Sequence, residues 1–333
     1  MKKKMASLLA CALIFSAFTG CGDSTGSNSA INSENGNTPD EHSEAAEVTV
    51  DRSDFKIRSF DTSPTIEETV LVDENGVKIT ATGLEYNDYS AVLHLSIDNN
   101  TESEIKVLAN GGASVNNYMV PGYMLCRVPA GENTEDVFEF DYAELELYGM
   151  YEIATMGIHF EVSDSDYNDL VDTVSYLSTS IEKEYTPDTK SYQNSITDPQ
   201  TIDQYQYDIL SWATDTIFNQ YGVQFTSELL MKNSNGDRIV MVEATNSNDV
   251  KISIGFDSLS INGDNINDHT FEWGEIDPGK SAIMSINIDD CIENEKEDVT
   301  EEYNDISEVK FNVDIYSTQD TIIEGEPLTI PFA

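Results

Sequence analysis

The chain has 333 residues, and its 62 Asp and Glu against 17 Lys and Arg give a formal charge of −45. Such acidity excludes nucleic-acid binding, which draws its affinity from clustered Lys and Arg on phosphates. It also argues against electrostatic adhesion to anionic lipid or wall polymers, while the length suffices for about two packed domains.

In chain order, residues 1–20 place Lys2, Lys3 and Lys4 before an apolar run from Met5 to Phe18 that ends at small residues. This is the pattern of a secretory signal peptide. The run is shorter than the roughly 20 residues that a membrane-spanning helix needs. Phe18-Thr19-Gly20-Cys21 resembles the lipobox of bacterial lipoproteins, although Phe18 departs from the usual aliphatic residue there. The resemblance implies that Cys21 receives a diacylglyceryl group and becomes the mature N-terminus, with two acyl chains sufficient for stable anchoring. Loss of the leader removes three lysines and no acid, moving the formal charge from −45 to −48.

Residues 21–65 are expected to be a lipid-anchored flexible tether. Residues 22–47 hold almost no large apolar side chain and cannot offset the entropy of ordering.

Residues 66–185 and 215–333 are expected to be two β-sandwich modules, joined by a linker at 186–214. The pattern repeats along the chain. Gly76, Val77, Thr80 and Leu84 align with Gly222, Val223, Thr226 and Leu230 at an offset of 146. Leu93, Leu95 and Ile97 align with Val240, Val242 and Ala244 at 147, and Ser114 to Asn117 with Ser260 to Gly263 at 146. Phe138 to Asp141 fall on Ile286 to Asp289 at 148, and Ile158 to Val162 on Val309 to Val313 at 151.

Within each unit, runs such as VKITAT, LHLSI, VFEF and IHFEV alternate at period two, as half-buried antiparallel strands do. Turn residues separate them, among them Asn75-Gly76, Pro129-Ala130-Gly131 and Asn233 to Asp237. Ala113 to Val120 reads as one strand after a Gly111-Gly112 turn. The stretch from Tyr142 suits a short crossover helix ending at Gly149, and its counterpart, from Asp290 to Asp305, is longer and more acidic. In the linker, Asp198-Pro199 suits a helix start. Ile202, Tyr205, Ile209 and Trp212 have helical spacing but fit strand pairing equally. The expected fold is therefore all-β: two tandem antiparallel sandwiches of immunoglobulin-like architecture.

The leader, the tether and the pattern VKITATGLEYNDYSAVLHLSIDNNTESE … SVNNYMV … VPAGENTEDVFEF … LYGM … IHFEV together resemble Gram-positive, clostridia-like surface lipoproteins. These carry immunoglobulin-like domains of unknown function. The resemblance covers the first unit well and the second loosely, which departs at NDHTFEWGEI. It implies a β-sandwich and extracellular exposure, and transfers no catalytic or ligand residues.

Motifs for chemistry are sparse. His42, His94, His159 and His269 show no metal-ligand spacing, and His94 and His159 read as solvent-facing strand residues. No nucleophile elbow, dinucleotide loop or phosphate loop occurs. Once Cys11 leaves and Cys21 is lipidated, Cys126 and Cys291 remain. An exported pair permits a disulfide, but their non-equivalent places in different units favour two buried free thiols.

Calcium is the specific alternative, because Asp289, Asp290, Glu293, Glu295, Glu297 and Asp298 gather oxygen ligands on one crossover. A solvated acidic loop explains the same residues. Tyr86, Tyr89, Tyr118, Tyr123, Tyr142, Tyr148 and Tyr151 could give the first unit a tyrosine-rich recognition surface, or simply pack its strands.

The sequence thus leads to a non-enzymatic lipoprotein at the extracytoplasmic face of the cell membrane. Its partners would be the membrane, through the lipid on Cys21, and a protein or glycan ligand, with no nucleic acid and no cofactor. A calcium-stiffened stalk and an extracytoplasmic hydrolase are the alternatives.

Overall fold

Strand β3 (Ser90–Asn99) shows how these sequences become sheet: Ala91, Leu93, Leu95 and Ile97 are buried, while Val92, His94, Ser96 and Asp98 between them are half-buried. Period-two alternation gives the strand one core face. The computed structural model describes residues 60–110, 112–181, 189–212, 216–266, 271–295, 305–317 and 321–332.

Around β3, the first unit contains β1 (Thr69–Glu74), β2 (Val77–Tyr86), β4 (Ile105–Asn110), β5 (Ala113–Val115), β6 (Tyr118–Val120), β7 (Tyr123–Val128) and β8 (Asn133–Asp141). Helix α1 (Tyr142–Leu147), β9 (Thr155–Asp164) and β10 (Asp169–Ser178) complete it. One sheet runs β1-β2-β3-β8, and the facing strands are β6-β5-β9-β4-β7, with β10 also on β9. All pairings within the unit are antiparallel.

The linker forms α2 (Thr189–Ile196), α3 (Pro199–Tyr205) and β11 (Asp208–Trp212). The second unit follows with β12 (Phe218–Gln220), β13 (Val223–Lys232), β14 (Arg238–Asn246), β15 (Ile252–Ile261), β16 (Asp264–Asn265), β17 (Phe271–Ile276) and β18 (Ser281–Asn287). Helix α4 (Ile288–Glu295), β19 (Glu308–Ser317) and β20 (Thr321–Pro331) end it. The fold is all-β, as the sequence leads one to expect.

The helices start where the chain offers caps. The Asp141 carboxylate accepts from the Ala143 amide at 2.8 Å, and Gly149 follows α1 in the left-handed region at φ 71°. Asp198 accepts from the Gln200 amide at 2.8 Å, with Pro199 in the first turn of α3. Of the four linker residues at helical spacing, Ile202 and Tyr205 lie on α3, whereas Ile209 and Trp212 lie on β11 and pair with β13.

Two buried asparagines carry the duplication into atomic detail. Asn99 Nδ2 donates to the carbonyls of Ser103, Val128 and Pro129, and its Oδ1 accepts from the Thr101 amide. Asn246 repeats this with Val250, Ile276, Asp277 and Asn248. At the other end of each unit, Asn116 donates to the Glu152 carbonyl and accepts from the Ala154 and Thr155 amides. Asn262 does the same with Asp305, Ser307 and Glu308. Both Asn116 and Asn262 sit at positive φ, 54° and 52°.

The second pair corrects one alignment. Ser114 faces Gly157 while Ser260 faces Lys310, so β9 and β19 correspond at an offset of 153 rather than 151. Phe160 is therefore equivalent to Val313 and Ile158 to Phe311. A slip of two residues keeps the same face inward, which is why the apolar pattern alone does not reveal it.

Two further expectations change. Ala113 to Val120 is a tight hairpin of β5 and β6 turning at Asn116-Asn117, not one strand. Residues 60–65, assigned to the tether, are packed: the Phe60 ring lies 4.4 Å from that of Tyr142, and the Asp61 amide donates to the Tyr151 carbonyl at 2.7 Å. Residues 21–59 lie outside the described residues, as does Gly111.

The units are not beads on a string. A parallel bridge between Tyr118 on β6 and Ser281 on β18 joins one sheet of each into a continuous array. Tyr192, Ile196, Tyr205 and Tyr207 from the linker, with Leu229, Met231, Ile239, Met241 and Ile283 from the second unit, belong to the first unit's hydrophobic core. Strands β13, β14 and β18 thus contribute residues to both hydrophobic cores, and α2 packs against β13.

Candidate functional site

Two places gather side chains that a structural role on one strand does not exhaust: the junction between the units and the outer face around β7. At the junction, Tyr118 Oη donates to Glu243 Oε1 at 2.5 Å, and the Thr226 hydroxyl reaches Glu243 Oε2 at 3.4 Å. Tyr205 Oη donates to Glu146 Oε2 at 3.0 Å, and Gln204 approaches the same oxygen at 3.3 Å. Both glutamates are fully buried. The rings of Tyr118 and Tyr148 stack at 5.6 Å. Burial pushes the Tyr205 phenol well above its ordinary range, with Glu146 adding to the effect, and burial likewise raises Tyr148 and Tyr192.

A second polar layer of the junction hangs on Lys280. Its Nζ donates to the Asn116 carbonyl at 2.5 Å and lies 5.5 Å from the centre of the Tyr176 ring, while Tyr176 Oη donates to Asp277 Oδ2 at 3.1 Å. The Ser281 amide donates to the Asn117 carbonyl at 2.8 Å. Burial lowers the Lys280 ammonium pKa, and Asp277 partly opposes that shift. The Tyr118–Glu243, Lys280–Asn116 and Tyr176–Asp277 contacts cross between the units and fasten them together, while Tyr192 Oη is buried there without a hydrogen bond.

The other place is open to solvent. β7 ends its sheet, paired with β4 alone, and its side chains alternate strictly: Met124, Cys126 and Val128 are buried, whereas Tyr123, Leu125 and Arg127 are exposed. Tyr123 is 60% and Leu125 43% accessible. Register places Leu108 of β4 beside Leu125 and Lys106 beside Arg127. Arg127 Nη1 lies 3.3 Å from Glu104 Oε1, an exposed pair of small energetic value.

His159 is not solvent-facing as expected. Its side chain is 13% accessible, and Nε2 lies 2.6 Å from Asp172 Oδ1. The neighbouring Gly112 leaves room for it: a Cβ there would come within 2.5 Å of His159 Cβ. The Gly111-Gly112 element therefore serves, at Gly112, the packing of one histidine. His94 remains 42% accessible and contacts Glu85 at 3.2 Å. His42 and His269 lie outside the described residues.

The tyrosine-rich surface is mostly interior. Tyr118 and Tyr142 are buried, Tyr86, Tyr89, Tyr148 and Tyr151 are half-buried, and Tyr123 alone of the seven is exposed. Tyr118 and Tyr148 stack at the junction, and Tyr86 and Tyr142 pack against Phe60 where the chain enters, contacts that local sequence spacing does not encode.

Cys126 and Cys291 are both buried and are not disulfide-bonded to each other. Burial, with Asp136 alongside, pushes the Cys126 thiol up to about 11, so it stays protonated and poorly nucleophilic at neutral pH. Asp289, first of the candidate calcium ligands, is occupied by Arg238, whose backbone amide donates to Oδ2 at 2.7 Å and whose guanidinium grips both oxygens. Asp290, Glu293 and Glu295 fall on α4, while Glu297 and Asp298 lie outside the described residues. Among the described residues, no group of three His, Cys, Asp or Glu is placed to hold a metal ion. Among them, too, no helix is long and apolar enough to cross a membrane. Cys21 lies outside the described residues.

No family model matches the chain, and no curated protein matches it. Among solved structures, red sea bream transglutaminase aligns over 84% of this chain and 31% of its own length, at 9% identity and a TM-score of 0.19. A conserved domain protein from Bacillus anthracis aligns over 83% and 94%, at 7% identity and a TM-score of 0.25. Likenesses this distant carry no argument about function.

Proposed function

We propose that this protein is a non-enzymatic lipoprotein held at the extracytoplasmic face of the cell membrane through a lipid on Cys21, and that it binds a protein or glycan ligand with the outer face around β7. The observation that supports the binding reading is the exposure of Tyr123 and Leu125 side by side on an open strand, beside Leu108. Tyrosine offers a broad apolar ring with a polar tip, a combination favoured in recognition surfaces. Most polar groups at the junction are engaged with one another, and the β7 face is the candidate for an external ligand.

Two comparisons on intact cells test the proposal. Cys21→Ser should release the chain from the membrane fraction and abolish incorporation of labelled fatty acid; retention of both contradicts the anchor. The double substitution Tyr123→Ala and Leu125→Ala should lower the chain's cross-linking to other surface components by about tenfold, the scale of losing a central apolar anchor. Undiminished cross-linking contradicts the binding face.

A further inference from the structure

We infer that the open edge of β7 takes an extended acidic peptide strand from a partner protein, which adds to the sheet beside β7. The inference rests on the reading of this face as the binding face and specifies its ligand. An unpaired edge presents a row of backbone donors and acceptors, and proteins ordinarily blunt such edges with charges, prolines or bulges. Two of the other edges show those devices. β8 carries Glu135, Asp136 and Glu139; β20 contains Gly325, Pro327 and Pro331.

The most telling comparison is with β17, the counterpart of β7 in the second unit. β17 is bulged next to Gly274, where the register against β15 shifts. β7 keeps unbroken register with β4 over all six residues, from Ile105 opposite Val128 to Asn110 opposite Tyr123. The same element is therefore protected in one unit and open in the other.

Charge selects the kind of strand. Lys106 and Arg127 stand directly opposite each other across β4 and β7, a like-charge pair that costs stability in a sheet. It occurs in a chain with only 17 basic residues against 62 acidic ones. An acidic side chain arriving beside β7 would relieve that repulsion. Glu104 already reaches Arg127, but from an exposed position that an incoming carboxylate can displace. The acids Glu161 and Asp172 stand on β9 and β10, inward of β4, and Asp172 is held by His159. Apolar residues of the added strand would meet Tyr123 and Leu125, while its backbone pairs with β7.

The test uses the full chain and three acetylated peptides of about ten residues, long enough for a strand. One alternates Glu with Val and Thr, one has Lys in place of Glu, and one has Pro at alternate positions. The acidic peptide should slow amide exchange within residues 123–128. Combining Lys106→Glu with Arg127→Glu should weaken it by at least about tenfold, since two cationic partners are reversed. The lysine and proline peptides should leave exchange unchanged. No slowing by the acidic peptide, or equal slowing by the lysine or proline peptide, overturns the inference. If the Tyr123→Ala and Leu125→Ala chain still loses its surface cross-links in that case, the binding face stands and only the strand-addition mode fails.

Discussion

Single residues decide the ends of each sandwich. Asn99 is 1% accessible and its side-chain amide ties together the Ser103, Val128 and Pro129 carbonyls at a corner, and Asn246 is fully buried in the same role. Replacing Asn99 by Ala takes the side-chain donor from the buried Val128 carbonyl and the side-chain acceptor from the Thr101 amide. We expect Asn99→Ala to cost roughly 2–3 kcal/mol, measured by denaturant unfolding of the full chain, because each unsatisfied buried polar group costs about 1–3 kcal/mol. A loss below about 0.5 kcal/mol, the range of ordinary surface substitutions, would contradict the role. The asparagines are visible in the sequence as turn residues, but their partners, some 30 positions away, are not. Gly112 is similar: its glycine-rich context suggests a loop, whereas its reason is the His159 side chain lying against it.

At the scale of elements, alternation is a good guide where one face meets water and a poor one where both are buried. β3 alternates and its boundaries follow from LHLSI; its counterpart β14 reads IVMVEA, and Met241 and Glu243 stand where β3 has His94 and Ser96. That continuous apolar run is the sequence's own sign that β14 is covered twice, by its core and by the linker helices. The linker is accordingly a structural part of the first unit. Gly149 shows how closely it docks, since a Cβ there would lie 2.4 Å from the Ser191 carbonyl oxygen. A fragment ending near residue 185 leaves Tyr192, Ile196, Tyr205 and Tyr207 out of the first core. Residues 60–212 should therefore unfold cooperatively, whereas 60–185 should lack a cooperative thermal transition or melt well below it. Equal melting temperatures would contradict this packing.

For the whole molecule, the shared core and the Tyr118–Ser281 bridge make the two sandwiches one stiff head. Its buried phenols give that rigidity a pH signature. Burial, with Asp88 nearby, raises Tyr142 from 10.0 to about 12, and Tyr148, Tyr192 and Tyr205 are raised further by the junction. A phenol whose folded pKa exceeds its unfolded one stabilises the fold fully below about pH 10, and that contribution is lost as pH climbs through the folded value. Absorbance at the phenolate band should accordingly show some of the 16 tyrosines titrating near pH 10 and the buried set only together with unfolding. Smooth titration of all tyrosines near pH 10 in the folded protein would contradict the buried junction.

The shared core fixes the proposed β7 face relative to the second unit. Which residue carries that face was only partly legible. Tyr123 stood among seven tyrosines of equal standing in the sequence, and the fold separates it from the others by placing it on an edge. The most direct measurement is photo-crosslinking on living cells from a photoreactive phenylalanine analogue placed at position 125, with position 210 as an exposed apolar control on β11, where Leu210 is 48% accessible. The proposed function predicts discrete cross-linked species from position 125 and none from position 210; no adduct from position 125, or the same adducts from both, would contradict it.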